Sequence, residues 1–136
     1  MNSENLIFFF ENACKRGNSN IDEFFINKVK TFLQQLSPSK IWEETGVRNK
    51  NLHANVFPDF VIYLNNKFIA CEIELSGLAK KYQLYEGLDI FDEIWFFTEI
   101  QIEKKHLHYK FENNLKIPQK FFGRNDKGEI VKISEK

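Results

Sequence analysis

The chain has 136 residues, of which 43% are hydrophobic, 28% are charged and 15 are Phe, a composition that suits one folded domain and excludes a disordered chain. Lys plus Arg and Asp plus Glu stand at 19 each, so no global basic field marks a polyanion partner, and any such surface has to be local. Cys14 and Cys71 match no zinc spacing and are expected to be reduced thiols, and the apolar stretch Leu6 to Phe10 is far shorter than the about 18 residues that span a bilayer. With no basic n-region before it, the protein is expected to be cytoplasmic, without a membrane partner.

A single domain is expected over 1–136, with a helical segment in 1–19, a core over about 20–99 and an extension over 100–136. Residues 3–15 read as a helix, followed by a polar break from Arg16 to Asn20. Ile21, Phe24, Phe25, Val29, Phe32, Leu33 and Leu36 then recur at helical spacing, with Asn20 as cap, Asp22 and Glu23 in the first turn, and Pro38 as the stop. Lys40 to Thr45 reads as a short strand and Gly46 to Asn55 as a polar loop. The runs 59–64 and 67–75 are strand-like and separated by Asn65-Asn66, and Asn tolerates the positive φ of a two-residue turn, so they form a hairpin.

Ser76 can cap a helix on which Leu78, Lys81, Tyr82, Tyr85 and Leu88 share a face, ended by Gly87 and Asp89. Glu93 to Thr98 is a buried strand, and the strand-helix-strand order places it parallel to the second hairpin strand. Beyond it, His106 to Phe111 is a candidate strand, and Asp126-Lys-Gly128 a turn between two short edge strands.

The chemistry sits on the hairpin. If Asn65 and Asn66 are the whole loop, Leu64 faces Lys67 and, counting back, Asp59 faces Glu72 with β-carbons about 5 Å apart. Alternation puts Phe68, Ala70, Glu72 and Glu74 on one face and Ile69, Cys71, Ile73 and Leu75 on the other. Three carboxylates on one patch destabilise a hairpin unless something neutralises them, and with the Ile73 carbonyl they form the hard oxygen set that Mg²⁺ or Mn²⁺ prefers. The alternative is an open sheet face on which Glu72 and Glu74 meet solvent and Asp59 caps its strand.

Pro58-Asp59 with Glu72-Ile73-Glu74 thirteen positions later, followed by a helix, resembles the PD-(D/E)xK nuclease superfamily. Within it, Pro58-Asp-Phe-Val-Ile, Cys71-Glu-Ile-Glu-Leu-Ser76 and Lys80-Lys81 look most like small nuclease-like domains of plasmid replication, relaxation and mobilisation proteins. The likeness covers about residues 40–99. It implies an α/β fold with a restriction-endonuclease-like αβββαβ core, a mixed sheet flanked by helices. It also implies Asp59 and Glu72 as metal ligands and Glu74 at the place usually held by the catalytic Lys. A Glu there can bind a second metal or act as a base, while Lys80 or Lys81 on the next helix can supply the missing positive charge. The other reading of those two lysines is a solvated helix face.

An acid from the preceding segment often completes such a site, and Glu43 or Glu44 beside Trp42 can do so; strand alternation admits one of them, and the expected metal ligands are Asp59, Glu72, Glu74 and Glu44. His53 can touch a phosphate or orient water, or lie idle on the surface. His106 and His108 beside Lys104, Lys105 and Lys110 can form a local basic strip for a DNA backbone, or a solvated edge strand. The expected function is a Mg²⁺- or Mn²⁺-dependent DNA endonuclease, or a nuclease subunit, of a plasmid or mobile-element system, with a neutral charge that argues for a homodimer or larger complex. The alternative is a catalytically inactive nuclease-fold protein that binds DNA or a protein partner in mobilisation, replication or transcriptional control.

Overall fold

Residues 3–14, 23–73, 78–98 and 115–135 are described by a computed structural model, apart from the side chains of 78–81 and of 134. Helix α1 spans Ser3–Asn12, shorter than the expected 3–15, and buries Leu6 and Phe10. Helix α2 spans Glu23–Gln35 and buries Phe25, Val29 and Leu33, the stripe set by its apolar spacing. It ends before Pro38: the Leu36 and Ser37 N–H groups donate back to Leu33 and Gln34 carbonyls, and Ser37 turns left-handed at φ 56. The expected caps at Asn20 and Ser76 lie outside the described residues.

Strand β1 is Lys40–Glu43, and the segment expected as a polar loop is instead a small hairpin of β2 (Val47–Asn49) and β3 (Ala54–Val56). Three-residue strands carry too little alternation to stand out, but Val47 pairs with Val56 and both are buried in the core. Strands β4 (Phe60–Leu64) and β5 (Lys67–Ile73) pair from Leu64↔Lys67 to Phe60↔Cys71 around Asn65 and Asn66, both left-handed at φ 51 and 64. The register and the two-residue turn are those expected. Helix α3 (Leu78–Tyr85) then leads to β6 (Glu93–Phe97), which pairs parallel to β5.

The C-terminal part departs from two short edge strands. Strand β7 (Gln119–Arg124) is interior, parallel to β6, and only β8 (Ile130–Glu135) lies at the edge. Their turn is as expected, with Gly128 at φ 79 and its N–H donating to the Asn125 carbonyl. Among the described residues, six strands thus form one mixed sheet in the order β1-β4-β5-β6-β7-β8. Side chains alternate between two cores: Phe10, Trp42, Phe68, Ala70, Tyr85 and Phe96 belong to one on the α1 and α3 face, and Phe25, Val29, Phe60, Ile69, Cys71 and Phe97 to the other beneath α2. Among the described residues, no helix is long and apolar enough to cross a membrane. The candidate strand 106–111 lies outside the described residues.

One buried asparagine ties the small hairpin to α3. Asn49 Nδ2 donates to the Leu84 carbonyl at 2.8 Å and the Glu86 carbonyl at 3.2 Å, while its Oδ1 accepts from the N–H groups of Asn51 at 3.0 Å and Leu52 at 3.4 Å. The carbonyls at a helix end have no partner inside the helix, so this side chain does what a cap does. Gly87 follows at φ 85, a left-handed backbone that favours glycine, and a β-carbon there would press on the end of the exposed Asn51 side chain. Asn49→Ala is expected to cost about 2–4 kcal/mol, because it strands two carbonyls and the Asn51 amide together, while the Leu52 N–H keeps the residue 49 carbonyl. Urea denaturation checks it; a loss under about 0.5 kcal/mol, the level of an ordinary surface change, would refute the capping role.

Candidate functional site

Asp59 follows Pro58 at the mouth of β4, and both Asp59 and Glu72 are buried, at 3% and 1% exposure. Continuing the β4–β5 register one step beyond Phe60↔Cys71 sets them opposite each other. Asp59 Oδ2 accepts the Ile73 N–H at 2.7 Å, and Oδ1 is fully enclosed. Glu72 shares the face of Phe68 and Ala70, where its Oε1 accepts a 2.5 Å hydrogen bond from the Tyr85 hydroxyl of α3. The alternative of an open, solvated sheet face does not hold for Glu72, because α3 covers it.

Charge at this end of the sheet is felt by its neighbours. The Tyr85 hydroxyl is pushed well above its ordinary range by burial first, then by the negative charge of Glu72, its hydrogen bond to that carboxylate, and the charges of Asp59 and Cys71. The Cys71 thiol is likewise pushed up, by burial and then by Glu72 and Asp59. Both cysteines are free thiols, Cys14 exposed and Cys71 buried and unreactive.

Next to Asp59 a cavity of about 330 Å³ opens toward α2, lined by Glu23, Ile26, Asn27, Glu43, Glu44, Asp59 and Phe60. The expectation that strand alternation admits only one of Glu43 and Glu44 fails, because β1 ends at Glu43 and Glu44 turns left-handed at φ 51. Both residues line the cavity. Glu43 is exposed and ion-paired with Lys30 at 2.8 Å, whereas half-buried Glu44 donates its backbone N–H to the Asp59 carbonyl at 3.1 Å. A glutamate at positive φ is uncommon, and such backbone outliers concentrate where a site holds them in place.

The two buried carboxylates are oxygen ligands of the kind a hard cation takes, and Asp59 Oδ2 is already engaged by the Ile73 N–H. Among the described residues, no three His, Cys, Asp or Glu side chains come together as a group able to hold an ion. Glu74 lies outside the described residues, as do His106, His108, Lys104, Lys105 and Lys110, and the side chains of Lys80 and Lys81 on α3 are not among those described. His53 is exposed at the tip of the small hairpin, at φ 51.

Two features have no counterpart among the expected site residues. Tyr85 reads as core from its helical position, and its hydroxyl is what the sequence leaves unspoken. At the other end of β6, buried Glu93 accepts from Trp95 Nε1 at 3.1 Å and Lys67 Nζ at 3.2 Å, with Lys120 at 3.5 Å. Burial alone would raise the Glu93 carboxyl, but the Trp95 and Lys67 hydrogen bonds and the Lys120 and Lys67 charges outweigh it and hold it below its ordinary value. This cluster closes the sheet end away from Asp59. A comparison of the chain with protein-family models, curated proteins and solved structures finds no match.

Proposed function

We propose that this chain is a metal-dependent DNA endonuclease, or the nuclease subunit of a plasmid or mobile-element DNA-processing system, built on a restriction-endonuclease-like αβββαβ core. The order α2, β1, β4, β5, α3, β6 supports that reading, with β2 and β3 as an insertion. The observation that carries it is that Asp59 and Glu72, one step beyond the last register pair Phe60↔Cys71, are both buried at the same end of the sheet. Burying two negative charges side by side costs folding energy, and that cost is tolerated where the charges have work to do.

In this reading Asp59, Glu72 and the Ile73 carbonyl hold a Mg²⁺ or Mn²⁺ ion, with Glu74 and Glu44 completing the set. A bound cation there supplies the positive charge that phosphodiester hydrolysis requires. The Ile73 N–H fixes the rotamer of Asp59, and Tyr85 fixes that of Glu72, so both carboxylates are aimed before any ion arrives. Glu74 at the usual Lys position favours a second reading, a nuclease fold retained for binding DNA or a protein partner without cleavage.

Melting with and without cation separates them. At a free concentration tenfold above its Kd, Mn²⁺ should stabilise the wild type by about 1.4 kcal/mol, and Asp59→Asn should lose that gain. Plasmid nicking that disappears in the same variant identifies an enzyme. Stabilisation without nicking identifies the binding protein, and no cation effect at all refutes the metal site.

A further inference from the structure

The hairpin of β2 and β3, with its loop, spans Val47 to Val56 and carries Arg48, Lys50 and His53 with no carboxylate. In a chain of zero net charge, that is a local concentration of positive charge. All three side chains are exposed, and among the described residues none of them is paired with an acid. Among the described residues, five lysines elsewhere are spent differently: Lys30 on Glu43, Lys40 on Glu11, Lys67 and Lys120 on Glu93, and Lys132 on Glu135.

The hairpin is also held by the candidate site. Its two roots are Glu44 and Asp59, joined by the Glu44 N–H to Asp59 carbonyl hydrogen bond. Its buried face sets Val47 and Val56 in the core, and Asn49 grips the carbonyls of Leu84 and Glu86, the residues on either side of Tyr85. The same helical turn that orients Glu72 therefore orients the hairpin. Arg48 pairs across the ladder with Asn55, and both face solvent on the side away from the core. Beside them a cavity of about 590 Å³ runs between Arg48, Lys50 and Asn51 and the surfaces of Phe9 and Ile90, with Asp89 as the one acid on its wall among the lining residues.

From this placement we infer that the hairpin 47–56 is an arm that binds the phosphate backbone of double-stranded DNA, with Arg48 and Lys50 as its main contacts and His53 at its tip. The inference rests on the nuclease-fold reading for the choice of DNA as polyanion, while the arm itself rests on uncompensated charge and rigid mounting. Contacts of this kind position a duplex without reading its sequence, so binding should be weakly sequence-dependent and strongly salt-dependent.

The test is fluorescence anisotropy of a labelled 20-base-pair duplex across a salt series, in Ca²⁺ to permit binding. The charge reversal Arg48→Glu/Lys50→Glu is compared with Lys127→Glu/Lys132→Glu, an equal change of charge on the β7–β8 hairpin. The arm variant should bind at least about tenfold more weakly, with a salt slope smaller by about 2, while the control stays near the wild type. Its melting temperature and its Mn²⁺ shift should be unchanged, which shows that the fold and the acid site survive. Equal losses in both variants, an unchanged slope in the arm variant, or no duplex binding by the wild type would each overturn the arm. Arm-dependent binding without cleavage keeps the arm and removes the enzyme. Cleavage that ignores the arm variant does the reverse.

Discussion

Glu72→Gln is expected to abolish cation-dependent stabilisation and to lower plasmid cleavage at least about 100-fold, while the metal-free protein melts higher than the wild type. The opposite signs follow from the same burial. Glu72 is 1% exposed, opposite Asp59 in register and bonded to Tyr85. The glutamine carbonyl keeps the acceptor for the Tyr85 hydroxyl, and its amide can donate to the facing carboxylate, so nothing is lost in packing and one buried negative charge is removed. A gain of about 1–2 kcal/mol corresponds to a rise of about 3–8 °C for a domain of this size. Tyr85→Phe should act the other way, because it takes the donor from a buried carboxylate at a cost of about 1–3 kcal/mol. Calorimetry in chelator and in Mn²⁺ reads both effects. A glutamine variant that melts lower in chelator, or that keeps its Mn²⁺ shift, would show that Glu72 is a structural acid and not a ligand held ready.

The part of the site that was legible is the part governed by a strict period. Two consecutive asparagines can both adopt positive φ, so the turn length was readable, and with it every pair from Leu64↔Lys67 onward. Alternation then separated Phe68 and Ala70 from Ile69, Cys71 and Ile73 without further information. The parallel placement of β6 followed from a helix lying between two apolar runs.

Where the chain leaves that period, reading failed. Glu44 lies one residue past β1 at positive φ, so alternation no longer governs it, and it shares a cavity with Glu43. The β2–β3 hairpin has three-residue strands and a polar face, and its fit depends on Asn49 meeting helix carbonyls 35 and 37 positions away. No local pattern carries such a contact. The interior position of β7 has a signal in the sequence: Phe121 and Phe122 are adjacent, so in a strand they face opposite ways, and burial of both requires a sheet covered on both sides. Tyr85 is the subtler case. In a chain with 15 Phe, a Tyr on the buried face of a helix that follows an acidic strand points to a buried acceptor for its hydroxyl.

Phe10→Ala is the second large effect, an expected loss of about 3–5 kcal/mol and a melting temperature lower by about 10–15 °C. Helix α1 precedes the strands and could be taken for an appendage, yet Phe10 is wholly buried, with its ring centroid 5.0 Å from Trp42, 5.6 Å from Phe68 and 6.1 Å from Phe91. These are the aromatic residues that fill the α1 and α3 face beside Glu72 and Tyr85. Truncation to alanine leaves a ring-sized space among stiff neighbours that cannot close over it, so the transfer and cavity costs add. Phe8, two residues earlier on the same helix, is 70% exposed, and Phe8→Ala should change stability by no more than about 0.5 kcal/mol. The pair therefore tests the docking of α1 and not its helicity, since both changes replace Phe by a better helix former. If the two variants lose stability equally in urea, α1 is not anchored through Phe10. If only Phe10→Ala loses it, and its Mn²⁺ shift weakens as well, then the aromatic layer supports the buried setting of Glu72.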